Sequence, residues 1–207
     1  MPNHQKEVLW RLAVNGVAGA GGHDCCNSGP CPCGFTLTTQ QRTNGQATLH
    51  RSHAFWDCPV AQGIIQQLQR GVGLQPVLRH HVWLLIPPSP AIQRVVWQVV
   101  CLAALTAINE GRKALWRAYI SAGGHRVAPT GQDTAEVDTA TRHAVQRFWE
   151  YLVRFATRDQ APISWAAVGA QHPFLSVDRS SPEQPPRLHV EVPEGIIWSD
   201  SEDSLAE

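Results

Sequence analysis

A chain of 207 residues, 43% of them hydrophobic, carries enough apolar material for one sizeable core, or for a small metal module beside a helical one. Its net charge of zero hides an asymmetry: residues 1–177 hold 15 Lys/Arg against 9 Asp/Glu, and residues 178–207 hold 2 against 8. No secretory leader is expected at the N-terminus, and the apolar run Val95 to Ile108 falls short of the ~20 residues that a bilayer needs, so an intracellular, reducing compartment (nucleus or cytoplasm) with no membrane partner is expected.

Six cysteines in such a compartment favour metal over disulfides, whereas in a secreted chain the even count would suit a disulfide framework. Of the 17 cationic residues 15 are Arg, whose planar fork suits phosphate or carboxylate, although a genome-wide preference for Arg codons gives the same bias.

In chain order, residues 5–14 read as a short helix with Val8, Leu9, Leu12 and Ala13 on one side, stopped by Gly16, Gly19, Gly21 and Gly22. His23, Cys25 and Cys26 follow among turn residues. Then comes a metal-ligand pattern: Cys31-Pro32-Cys33-Gly34, 19 residues, and His53 separated by four residues from Cys58. Three thiols and an imidazole suit a tetrahedral Zn2+ ion, and four protein ligands close the shell, so the expected site is structural, its binding energy being folding energy. A one-residue spacer strains joint chelation by Cys31 and Cys33. Cys26 is the alternative ligand, and otherwise Cys25 and Cys26 are small loop residues without a role. Cysteine catalysis by either of them with His23 lacks a third, orienting group.

The polar stretch Thr36 to Gln46 reads as a hairpin or open loop, and His50 as a solvated loop residue, while Phe55 and Trp56, between His53 and Cys58, can cover the metal's apolar side. Pro59 suits a first helical position, and Val60, Ile64, Ile65, Leu68 and Val72 recur at helical spacing. Cys58 therefore falls at a helix N-terminus, where the dipole is expected to lower its pKa.

Of the adjacent His80 and His81, one is expected to face the core and the other solvent. After Pro90 a long helix runs to about Ile120, apolar almost all round, with a polar stripe of Arg94, Gln98, Asn109, Arg112, Lys113 and Arg117; it belongs in the middle of a bundle, with Cys101 as a buried thiol. Gly123-Gly124 ends it. Asp133 and Glu136 can cap the next helix, which buries Val137, Ala140, Ala144, Val145, Phe148, Leu152, Phe155 and Ala156 through about Thr157. Arg147, Arg154 and Arg158 line its other side, either as phosphate contacts or as a solvated row with Glu150 as partner. Pro162 opens a short helix over Ile163 to Val168. From Asp178 the prolines and the run Ser199-Asp-Ser-Glu-Asp-Ser204 describe a disordered acidic tail holding one apolar island, Ile196-Ile197-Trp198.

The expected architecture is thus mainly α: a zinc-stapled module over residues 1–73 including its following helix, a helical bundle over 74–177, and the tail over 178–207. The motifs C-x-C-G and H-x-F-W-x-C-P-V-A, preceded by Leu9-Trp10-Arg11-Leu12 and followed by Val82-Trp83-Leu84, the run Val96 to Leu105, Gly111-Arg112 and His172-Pro173-Phe174-Leu175, resemble the zinc-binding region C-terminal to the polymerase of non-LTR (LINE-type) retrotransposon reverse transcriptases of green-algal type. The resemblance spans roughly residues 8–177. It implies a zinc-binding accessory domain that contacts RNA or DNA, with Cys31, Cys33, His53 and Cys58 as ligands and other segments of the retroelement protein as partners. No aromatic-x-Asp-Asp of a polymerase palm and no nuclease carboxylate cluster occurs, so no enzymatic activity is expected. Arg42, Arg51, Arg70, Arg147 and Arg154 are the candidate nucleic-acid contacts. The alternative is a zinc-stapled protein-interaction module, or a decayed retroelement fragment, without nucleic-acid affinity.

Overall fold

The computed structural model describes residues 31–35, 51–121, 134–157, 174–178, 187–194 and 196. The expected helices at 5–14 and 163–168, the stretch 36–46, the caps and loops at Gly123-Gly124 and Asp133, Arg158, and the residues His23, Cys25, Cys26, Arg42 and His50 lie outside them.

The described residues are mainly α. A short π-helix, His53–Asp57, leads into α1 (Pro59–Val72). After α2 (Arg79–Trp83) come the long helices α3 (Arg94–Ser121) and α4 (Thr134–Thr157). No described helix is long and apolar enough to cross a membrane. Pro59 occupies the first turn of α1, where its missing N–H costs nothing, and Gly73 ends the helix at φ 78°. The apolar face read from the spacing is the face that packs, with Val60, Ala61, Ile64, Ile65 and Leu68 all buried.

Helix α4 packs against both α1 and α3, and α1 touches α3. Glycine permits that convergence. A Cβ on Gly111 of α3 would lie 2.6 Å from Ala144 Cβ of α4, 2.8 Å from Val60 Cγ1 of α1 and 3.1 Å from the Ala140 carbonyl oxygen. A Cβ on Gly63 of α1 would lie 2.4 Å from Thr141 Cγ2 of α4. At Gly111 the α3 backbone thus lies against Ala140 and Ala144 of α4 and Val60 of α1 with no room for a side chain of its own.

Helix α3 is buried nearly all round from Val96 to Arg112, with Cys101 and its neighbours inside, as befits the centre of a bundle, and emerges over its last turns. Arg112 corrects the expected polar stripe. It is only 8% exposed, and its guanidinium lies 5.3 Å from the centroid of the buried Phe55 ring, which joins α3 to the π-helix. On α4, Val137, Ala140, Ala144, Phe148, Leu152 and Phe155 are buried as the spacing predicts, together with Trp149 and Tyr151.

Two strands close the described structure. β1 (Leu175–Asp178) pairs antiparallel with β2 (Arg187–Val190) in the register Leu175 with Val190 and Asp178 with Arg187. The acidic segment expected to be disordered from residue 178 therefore contains a strand, and within it Val190 is buried and Val192 and Ile196 pack on the core. Alternation over four residues is too short to distinguish from loop in a Pro-rich context, which is why composition alone does not reveal it. The hairpin is anchored by Phe174, whose ring lies against Gly71 at the end of α1 and 6.3 Å from the Trp149 ring.

Candidate metal centre

Cys31, Cys33, His53 and Cys58 converge. Their ligand atoms all lie within 4.8 Å of one another, and the four residues are between 0 and 8% exposed. Around a zinc-sized ion with bonds of about 2.3 Å, tetrahedral donors sit roughly 3.7 Å apart, so about an ångström of contraction completes the shell.

The one-residue spacer does not keep Cys31 and Cys33 apart. The chain doubles back there: the Cys31 N–H donates to the Phe35 carbonyl at 2.7 Å, and the Gly34 N–H donates to the Cys31 carbonyl at 2.8 Å. Gly34 takes φ 91°, a conformation that side chains other than glycine resist, and the turn it makes sets both thiols on the same side.

The other two ligands are brought together by the π-helix. Residues five apart on an α-helix point about 140° away from each other. Here the Cys58 N–H donates to the His53 carbonyl at 2.7 Å, a wider turn that places His53 and Cys58 on a common side. Gln62 of α1 donates to the Trp56 carbonyl at 2.5 Å and satisfies the turn's backbone. The His53 Nε2 lies 3.2 Å from Cys33 Sγ, and the Phe35 ring stacks on the imidazole with centroids 3.9 Å apart and planes 8° from parallel.

Three buried thiols this close cannot all ionise unless a cation joins them. Hydrogen bonds from the Cys31 and Cys58 thiols, and one from His53, hold Cys33 far below the usual thiol range. The reciprocal bonds to Cys33 and Cys58, with burial, hold Cys31 far above it. Cys58 is drawn down by Cys31, but its bond to Cys33, burial and the Cys33 charge outweigh that, and its pKa rises to about 11. The helix N-terminus was expected to lower it, so here burial beside a thiolate overrides the dipole. Without a cation the hydrogen bonds favour ionisation at Cys33 and disfavour it at Cys31 and Cys58; a cation would favour it at all three sulfurs.

The remaining sequence candidates stand apart from this centre. Cys101 is wholly buried in α3, where desolvation raises its thiol pKa well above normal, and its Sγ faces the His81 carbonyl at 3.9 Å. His80 is exposed and His81 half-buried, its Nδ1 accepting from the Leu78 N–H at 3.0 Å. Arg147 donates to Glu110 at 3.2 Å and to Glu150 at 2.6 Å, so this member of the α4 row is tied down by carboxylates. Arg70 is exposed and Arg154 half-buried. Arg51, two residues before His53, lies with its guanidinium 5.4 Å from the Trp83 ring centroid. The π-helix and the stacking of Phe35 escaped sequence reasoning, although Gly34-Phe35 directly after the second cysteine is the local signal for the turn.

No family model, curated protein or solved structure matches the chain.

Proposed function

We propose that Cys31, Cys33, His53 and Cys58 hold one structural Zn2+ ion that fastens the 31–35 turn to the start of α1. One observation carries this reading: three thiols and an imidazole nitrogen within 4.8 Å, all buried, with the full set of four donors supplied by protein. Soft sulfur donors with one imidazole favour zinc over the oxygen-seeking divalent ions, and a shell filled by four side chains leaves no place for substrate or water. The ion's role is therefore folding. Elemental mass spectrometry of the purified chain tests it: about one zinc per chain is expected, absent from a His53→Ala/Cys58→Ala variant that also melts at lower temperature. A folded, metal-free protein would overturn the assignment.

The module so stapled acts as a nucleic-acid-binding accessory domain without catalysis, as its resemblance to the region that follows the polymerase in LINE-type reverse transcriptases implies. Charge placement supports this. From Cys58 to Asn109 there is no Asp or Glu, while Arg70, Arg79 and Arg94 are all exposed in that span. A span with exposed arginines and no carboxylates of its own suits a polyanion. Binding of labelled RNA and DNA, titrated with salt and repeated after chelation, tests the reading: affinity is expected to fall steeply with salt and to collapse with the metal. Affinity that survives the loss of zinc, or no affinity at all, favours a module that only scaffolds protein contacts.

A further inference from the structure

Two arginines converge on one indole at the surface beside the candidate metal centre. Trp83, the last residue of α2, carries the Arg79 guanidinium 5.2 Å and the Arg51 guanidinium 5.4 Å from its ring centroid. The pair comes from opposite sides of α1 in sequence. Arg51 lies just before the π-helix that bears His53, and Arg79 opens α2. They are joined through Ser52, whose hydroxyl accepts from Arg79 Nη1 at 2.7 Å and donates to Asp57 at 3.1 Å. Among the described residues no carboxylate stands within ion-pair distance of Arg79, which is itself exposed.

The neighbours of this stack are apolar and open. Leu78 is 47% exposed, Leu84 62% and Ile86 44%, and the Ile86 N–H is tied back to the His81 carbonyl, so these residues belong to the same short turn of chain as Trp83. Exposed aliphatic groups beside planar cations suit a partner that is anionic and also offers flat apolar faces.

We propose that Arg51, Arg79 and Trp83 form the docking surface for a single-stranded nucleic acid. The exposed Arg79 guanidinium holds a phosphate through its planar fork, and the layering of Arg79 and Arg51 on the indole presents a flat surface on which an unpaired base stacks, with Leu84 and Ile86 covering a neighbouring base or sugar. A duplex hides its base faces and would leave the aliphatic groups without contacts. An acidic peptide would meet the charges but not the stack. The assignment rests on the nucleic-acid reading above and names the residues that would carry it. The metal centre then has a second consequence, because the turn that fixes His53 also fixes Arg51.

The test is fluorescence anisotropy of the zinc-loaded full chain with fluorescein-labelled oligouridylate and oligothymidylate, each longer than the roughly 4–16 nucleotides one such surface covers. Polyglutamate of similar length serves as competitor. Arg79→Gln is expected to weaken binding about tenfold and to reduce the salt slope by about 0.7, the value for one phosphate contact on a single strand. Trp83→Leu is expected to weaken it by about tenfold with the salt slope unchanged, since stacking and not charge is lost. Arg117→Gln, an exposed arginine on α3, is expected to bind as wild type does. Zinc content and circular dichroism show whether each variant is folded. Should Trp83→Leu fail that check, Arg79→Gln alone decides. Unchanged affinity in Arg79→Gln overturns this surface while leaving nucleic-acid binding standing. A wild-type chain that binds neither oligonucleotide overturns both, and polyglutamate that competes as well as unlabelled oligouridylate shows an acidic protein segment to be the partner instead.

Discussion

Phe35 lies flat against His53, with ring centroids 3.9 Å apart and planes 8° from parallel, so the imidazole is held on one side by an aromatic face while its Nε2 points at the Cys33 sulfur. The stack fixes ring orientation before any ion arrives. Groups that orient a ligand from behind typically contribute 10–100-fold to metal affinity. Phe35→Ala is therefore expected to weaken zinc binding by about tenfold in a competition titration against a chelating dye. An affinity equal to wild type would mean that the π-helix alone fixes the imidazole.

Proton release accompanies metal uptake, and its direction follows from the cluster. With no cation, Cys33 is the thiolate, held so by the Cys31 and Cys58 thiols, whereas Cys31 and Cys58 have raised pKa values and keep their protons at neutral pH. Zinc binding near pH 7 is expected to release about two protons, one from each raised thiol. Calorimetry in buffers of different ionisation enthalpy measures the number. Because protons compete with the ion, affinity should fall as pH falls, by about a hundredfold per unit while two protons are displaced. Stability conferred by the metal is thus present at neutral and mildly alkaline pH and lost on acidification.

At Gly111 α3 lies close to both α1 and α4, with neighbouring atoms 2.6 and 2.8 Å from the place its Cβ would occupy. In an isolated helix Gly→Ala is favourable by about 1 kcal/mol. Here Gly111→Ala is expected to destabilise by about 2 kcal/mol, because two helices must move outward, and to lower the melting temperature by about 5 °C. A scanning calorimetry trace equal to wild type would show that the junction is loose.

Arg147 bridges two helices, meeting Glu110 of α3 and Glu150 of its own helix, and Tyr151 donates its hydroxyl to the same Glu110. Burial and the bond to that carboxylate hold the Tyr151 phenol well above its ordinary pKa. Arg147→Gln leaves the paired carboxylates facing each other without a cation. It is expected to cost about 1–3 kcal/mol in urea unfolding while leaving oligonucleotide affinity unchanged, because the arginine is engaged inside the protein. A drop in affinity at equal stability would return Arg147 to the binding surface.

The four converging donors were legible because zinc chemistry demands residue types at a given spacing rather than a fold, and C-x-C followed by H-x4-C stands out even among six cysteines and ten histidines. Helix α1 was legible from Pro59 and the spacing of Val60, Ile64 and Leu68, and α3 and α4 from long apolar periodicity, since local backbone preference and one-sided burial act within a few turns. The strand pair escaped because strands of four residues each carry too little pattern, and their packing on α4 and on the contact between Phe174 and Trp149 brings together segments that are apart in the chain.

What the sequence by itself determined is the donor set at Cys31, Cys33, His53 and Cys58, the mainly helical class and the carboxylate-free span that makes one part of the body cationic. Tertiary structure alone decided that Cys31 and Cys33 share a centre despite their single-residue spacer, that Arg112 is buried on Phe55, and that Arg147 is occupied while Arg79 lies exposed on Trp83. The reason is physical. Donor chemistry and periodicity are properties of a residue and its near neighbours, whereas Ser52 meeting Arg79 joins segments 27 residues apart, and Glu110 meeting Tyr151 depends on how closely α3 packs on α4, which Gly111 permits with no side chain to announce it.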